Sequence, residues 1–94
     1  MAATSHYAEG VVALDDHRPA AAIPLLRTSW LRWREIGVTY EAARARLGLG
    51  WALHADGQHA AGRLEVEAAR ATFEQLGATP DAETARLAPT PPTR

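Results

Sequence analysis

The feature that most constrains this chain is an internal match, in which the first half aligns with the second half at a shift of forty residues. The matched positions include glycines and aspartates that suit helix crossings and turns, not only the abundant alanines. A period of this length is typical of helical solenoids, in which each pair of helices packs on the next. The matches are Gly10 with Gly50, Asp16 with Asp56, Ala20–Ala21 with Ala60–Ala61, Trp33 with Phe73, and Ile36–Gly37 with Leu76–Gly77.

Helix signals recur along the chain, and strand signals are nearly absent. Thr39 can cap a helix over 40–55, and Gly57 follows the last periodic residue of that helix, as a left-handed stop would. Apolar and small residues at steps of four and three predict a second helix from His59 to Leu76, closed by Gly77. Two helices joined by a short turn form an αα-hairpin.

The first half follows the same scheme, with predicted helices from about Thr4 to Leu14 and from Ala20 or Ala21 to Ile36. Pro24 is best tolerated if it falls in the first turn of its helix, and a kink is the alternative.

We therefore predict an all-α fold of αα-hairpin repeats, a tetratricopeptide-like α-solenoid. The repeats cover about 4–37 and 39–77, and a partial third copy covers 79–87. Residues 1–87 are expected to form one domain. The remaining stretch, APTPPTR at 88–94, has no core-forming residues, so we expect it to be extended and disordered.

Two glycines, Gly48 and Gly50, lie inside a predicted helix, where each costs about 1 kcal/mol relative to alanine. A residue without a side chain lets two crossing helices approach closely, and we expect Gly50 to face Gly62 or Ala61 at such a crossing. Gly48 is on another stripe of the helix, and the pattern gives it no role. The alternative is that both glycines are tolerated imperfections.

Composition argues against several classes of function. Ten basic residues, all arginine, are balanced by eleven acidic ones, so the net charge of −1 gives no basic footprint for nucleic acid or an anionic membrane. There is no cysteine, which excludes disulfides and cysteine-ligated zinc. No apolar run approaches the roughly 18 residues needed to span a bilayer, and the first residues lack the pattern of a signal peptide. We expect a cytoplasmic protein without direct nucleic-acid or membrane contact.

A resemblance to the tetratricopeptide repeat is carried by a large-small pair in one helix, a turn glycine, and small residues in the next helix. These positions are Leu49-Gly50, Leu53, Gly57, Gly62, Val66 and Ala69; the first half keeps Gly10, Ala22, Leu26 and Ser29 but has His17 at the turn glycine.

Two longer stretches, TSWLRWREIGVTYEAARARLGLGWAL and EAARATFEQLGATPDAETARL, resemble a particular region of large LuxR-family transcriptional regulators. In actinobacterial members that carry an ATPase domain, this tetratricopeptide-like region comes just before the C-terminal helix-turn-helix. The resemblance covers about Tyr7 to Leu87. It implies a superhelix that can bind a small effector and relay the signal to the ATPase and DNA-binding domains.

The sequence offers no motif for catalysis, nucleotide binding or a cofactor. The strongest argument for a metal comes from two turns, Asp15-Asp16-His17 and His54, Asp56, His59, whose side chains are possible ligands. Polar caps are expected at such turns in any case, and the ligands do not form a defined tetrahedral set. We therefore predict neither a catalytic nor a metal site.

Two sets of side chains are candidates for binding a partner. Trp30 with Arg27 and Arg34 forms one set, because tryptophan and arginine anchor many interfaces. Tyr40, Arg44 and Trp51 form the other, and Arg44 with Arg46 can line the concave groove of a solenoid and hold a peptide carboxylate or an acidic partner. The alternatives are a core role for the tryptophans and a solvated helix face on which Arg44 pairs with Glu41. Trp33, which aligns with Phe73, is expected in the core.

These observations favour a non-catalytic helical module for protein association or oligomerisation, from or related to a LuxR-family regulator. The alternative is a segment that senses a small effector, in a pocket formed by Trp51, Tyr40 and Arg44. A third alternative is a metal-dependent or substrate-handling enzyme that uses the histidines. Because two repeats leave both ends without capping neighbours, we also expect self-association.

Overall fold

The computed structural model describes the backbone of residues 2–87 and the side chains of residues 5–85. Within these residues the fold is all-helical, with no strands. The predicted disordered stretch at 88–94 lies outside the described residues. The five helices are α1 (Ala2–Asp15), α2 (Pro19–Glu35), α3 (Thr39–Ala55), α4 (His59–Gln75) and α5 (Thr79–Leu87).

The helix positions agree with the sequence prediction to within about two residues, but two details of the helix starts were wrong. Thr39 is the first residue of α3 and does not cap it, since the capping position is Val38 and no side chain bonds there. Helix α2 starts at Pro19, where its missing N–H costs nothing. Pro24 therefore lies in the second turn of α2, on an exposed side.

Four turns join the helices, and all four close in the same way. After α3, for example, the amide of Gly57 donates to the carbonyl of His54, and the amide of Gln58 donates to that of Leu53. The residue in the left-handed conformation is Gly37, Gly57 or Gly77 in three turns and His17, at φ 59°, in the first. This arrangement satisfies carbonyls in the last turn of α1, α2, α3 and α4, and it reverses the chain within three residues.

Helix α3 is central, because its two sides belong to two different core clusters. It packs against both α2 and α4, while α1 packs against α2 and α5 against α4. One cluster joins α1, α2 and α3 through Ala13, Ala22, Ile23, Leu26, Leu49, Ala52 and Leu53. The other joins α3, α4 and α5 through Ala43, Leu47, Val66, Ala69, Phe73, Ala82 and Ala85.

The crossing of α3 and α4 depends on glycine. A Cβ added to Gly50 would lie 2.6 Å from Cγ2 of Val66 and 2.9 Å from the carbonyl oxygen of Gly62. A Cβ added to Gly62 would in turn meet the carbonyl oxygen of Gly50 at 2.7 Å and the backbone nitrogen of His54 at 2.9 Å. The two backbones therefore touch at a distance that no side chain permits.

Gly48, to which the sequence pattern assigns no role, is buried against α2. A Cβ there would lie 3.2 Å from Cδ2 of Leu26. The expectation that Trp33 is a core residue was wrong, because its side chain is only half-buried and belongs to neither core cluster. Phe73, its counterpart at the forty-residue shift, is 1% exposed, and the ring of Tyr40 covers it edge-on at 5.8 Å.

Candidate functional site

A cleft of about 170 Å³ lies between α1, α3 and α5 and contains the second set of predicted binding residues. Tyr40, Arg44, Leu47 and Trp51 recur on α3 at steps of four, three and four, which places them on one face of the helix. The rest of the lining comes from Tyr7 of α1, Phe73 of α4, and Asp81 and Thr84 of α5. We call this space the inner cleft.

Arg44 connects α1 to α3 at the inner cleft. Its guanidinium group lies 4.9 Å from the centre of the Tyr7 ring, donates to the Tyr7 hydroxyl at 3.4 Å, and pairs with Glu41 at 3.3 Å. Burial lowers the pKa of Arg44, but the neighbouring Tyr7 and Glu41 outweigh that effect and leave the pKa above its usual value. The predicted pairing with Glu41 is therefore present, and Arg44 also faces the cleft.

Tyr40 connects α3 to α5 on the other side of the inner cleft. Its hydroxyl donates a hydrogen bond to a carboxylate oxygen of Asp81. This bond, with a smaller contribution from burial, raises the pKa of Tyr40, because ionisation would place a second negative charge beside Asp81. Tyr40 and Arg44 thus hold the helices on either side of the cleft in place.

Sequence reasoning missed the contributions of α1 and α5 to the inner cleft. Tyr7, Asp81 and Thr84 carried no motif of their own. The forty-residue shift could have found two of them, because it places Tyr7 on Leu47 and Thr84 on Arg44, both of which line the cleft.

Trp30 and Arg34 of the first predicted set come together on a different side of α3. The indole of Trp30 packs against the core and lies close to two guanidinium groups, with Arg34 at 5.4 Å and Arg46 at 4.5 Å from the ring centre. Arg46 also donates through Nε to Glu65 of α4 at 3.1 Å. Arg27 is exposed and lines neither the cavity beside Trp30, Arg34 and Arg46 nor the inner cleft.

The expectation that Arg46 lines the groove beside Arg44 was therefore wrong. Residues two apart on a helix point in nearly opposite directions. When Arg44 faces the inner cleft, Arg46 must face α2 and α4. There its guanidinium group lies over the ring of Trp30 and pairs with Glu65.

The histidines of the α3–α4 turn lie close together. The Nδ1 atoms of His54 and His59 are 2.9 Å apart, so one ring donates and the other accepts. Asp56 instead accepts from the side-chain amide of Gln58 at 2.9 Å. In the part of the chain that the structure describes, no three histidine or carboxylate side chains gather as a metal site would require.

No helix among residues 2–87 combines the length and the apolar character needed to cross a bilayer. No protein-family model, curated protein or solved structure matches the chain significantly.

Proposed function

We propose that the chain is a tetratricopeptide-like α-solenoid that binds other proteins, with the inner cleft as its binding site. The solenoid part of the proposal is supported by equivalent contacts in the two halves. Gly10 of α1 approaches Leu26 of α2 just as Gly50 of α3 approaches Val66 of α4, each pair separated from the other by forty residues. The four turns, which close alike, are spaced twenty residues apart.

The observation that carries the binding proposal is the convergence of side chains from α1, α3 and α5 on the inner cleft. Helix α1 makes little contact with α3, and α5 packs chiefly against α4. The cleft is therefore a gap between helices that are not closely packed. It combines aromatic rings with one guanidinium and one carboxylate, a composition that suits a side chain inserted from a partner.

The size of the cleft favours a protein partner over the alternative of a small-effector sensor. Pockets for small molecules usually enclose about 300–1,000 Å³. At about 170 Å³ the inner cleft is smaller, and it suits one or two side chains of a peptide that continues along the surface.

The wider setting is proposed on the resemblance alone. The stretches of α2, α3 and α4–α5 that resemble LuxR-family regulators suggest a module from, or related to, such a transcriptional regulator. Within that setting we propose a cytoplasmic, non-catalytic role in which the module binds a protein partner or a second copy of itself.

The test is to select binding peptides from a random peptide library on the purified protein and to measure their affinity for two variants by calorimetry. Thr84→Arg places a long side chain in the inner cleft and should abolish binding. Thr79→Arg makes the same change at an exposed position of the same helix and should leave binding intact. Peptides that bind both variants equally would contradict the proposal, as would a selection that yields no peptide dependent on the cleft.

A further inference from the structure

A second cavity, of about 210 Å³, lies where the end of α2, the start of α3 and the end of α4 meet. We call it the outer cavity. Its lining has two arginines, two threonines and no carboxylate: Trp30, Arg34, Gly37, Thr39, Ala42, Ala43, Arg46 and Thr72. The inner cleft, by contrast, sets Asp81 against Arg44, so its lining charges cancel. The outer cavity therefore presents a positive charge that its own lining does not neutralise.

The two guanidinium groups of the outer cavity are held in place. Both lie over the ring of Trp30, at 5.4 Å for Arg34 and 4.5 Å for Arg46, where cation–π attraction restrains them. The Arg46 side chain is further fixed by Glu65, which accepts from Nε at 3.1 Å. That bond leaves the two terminal nitrogens of Arg46 for another acceptor.

Arg34 differs from its neighbour on the same helix. Arg32 pairs with Glu35 at 3.8 Å, whereas no carboxylate among residues 5–85 lies within ion-pair distance of Arg34. An arginine that lies beside an aromatic ring, lines a cavity and has no carboxylate partner among residues 5–85 is suited to an external oxyanion.

We propose that the outer cavity binds the oxyanion of a phosphate monoester, with Arg34 and Arg46 as its two charged donors. Guanidinium groups match the spacing of phosphate oxygens and donate to two of them at once. The hydroxyl of Thr39 is a further donor at the rim, while that of Thr72 donates to the carbonyl of Ala68 in its own helix. The site faces away from the inner cleft, so the proposal does not depend on the proposed function.

The experiment is isothermal titration calorimetry of the whole chain with two probes, inorganic phosphate and a short phosphoserine peptide, with the unphosphorylated peptide as a reference. We compare Arg34→Gln with Arg32→Gln, which removes the same charge from the same helix but not from the cavity. Circular dichroism checks that both variants fold. Loss of one charge-assisted contact predicts about tenfold weaker binding or more for Arg34→Gln.

Arg32→Gln should bind like the unmodified chain. Binding of free phosphate alone would identify a small phosphate-bearing ligand, and tighter binding of the peptide would identify a phosphorylated partner; both support the site. Equal losses in the two variants would show a nonspecific charge effect and overturn the proposal, as would the absence of binding to either probe.

Discussion

At the scale of single residues, two glycines two positions apart on α3 meet different neighbours. Gly50 faces the Val66 side chain and also backbone atoms of Gly62 and Val66, and the backbone cannot move without separating α3 from α4. Gly48 faces the end of the Leu26 side chain, and a Cβ at 3.2 Å from Cδ2 would require that side chain to shift by only a few tenths of an ångström. Gly50 is therefore required for the close crossing of α3 and α4, whereas the neighbour of Gly48 can make room for a methyl group.

Gly50→Ala is expected to destabilise the fold by up to about 2 kcal/mol. Overpacking costs about 1–3 kcal/mol, and the gain in helix propensity returns about 1 kcal/mol. Gly48→Ala is the matched control, because it gives the same gain in helix propensity and Leu26 needs to shift only slightly. The free energy of unfolding of this variant should stay within about 1 kcal/mol of that of the unmodified chain. Urea unfolding followed by circular dichroism measures both, and an equal loss in the two variants would refute the difference between the sites.

Tyr40 should ionise at higher pH than an ordinary tyrosine, because its hydroxyl donates to Asp81 and its pKa is raised. The folded state then retains the proton while the unfolded chain has lost it. The stability from this bond is therefore fully present below about pH 10, the pKa of an unperturbed tyrosine, and is lost as the pH rises further. The ultraviolet absorbance of tyrosinate follows the titration, and subtracting the curve of Tyr40→Phe isolates Tyr40. A Tyr40 component with an ordinary midpoint would exclude the bond in solution.

At the scale of elements, the turns are equivalent in geometry but not in sequence. Three of them have glycine in the left-handed conformation, while His17 adopts φ 59° in the first. A residue with a side chain costs roughly 1–2 kcal/mol there, whereas glycine has no such penalty but is more flexible when unfolded. The turn between α1 and α2 is therefore less stable than it could be.

His17→Gly should raise the free energy of unfolding by roughly 0.5–1 kcal/mol, the difference between the relieved strain and the added flexibility of glycine in the unfolded chain. Gly57→His makes the reverse change in the turn after α3, where φ is 88°, and should destabilise. Thermal unfolding of the two variants measures both effects. A loss of stability in His17→Gly would mean that the histidine side chain makes a contribution that outweighs its backbone strain.

The elements were predictable from the sequence to a large extent, and their relative rotation was not. Glycine stops and periodicity are local signals, so the ends of α3 and α4 could be predicted closely. The approach of Arg46 to Trp30 depends on how α3 is turned against α2, which spacing along one helix does not determine. Local competition has the same effect: Glu67 follows Arg63 by four residues, a spacing at which opposite charges can pair, but it pairs instead with Arg70 at 2.8 Å.

At the scale of the whole molecule, the two end helices each have one main neighbour. Helix α1 packs on α2, and α5 packs on α4. Val12, on α1, keeps 55% of its surface exposed although it is apolar. In a stacked helical array each end helix has an outer face that no following helix buries. The remainder of a longer chain or a second copy can bury that face.

We expect the isolated chain to form a dimer that persists on dilution, with α1 in the interface. Light scattering coupled to size-exclusion chromatography gives the mass over a dilution series. Val12→Glu should shift the chain to monomer, while Leu64→Glu, at a site that is 72% exposed on α4, should not. A monomer at every concentration would leave the end helices free for a different partner and would disprove self-association.

The order in which the helices pack also has a consequence for kinetics. Each helix contacts mainly the helix before it and the helix after it in the chain. A topology with such local contacts closes only short loops on the way to the native state, and chains of this kind fold within microseconds to milliseconds. Local openings should likewise begin at α1 and α5, so that amide hydrogens of the central helix α3, packed on two sides, exchange with solvent last.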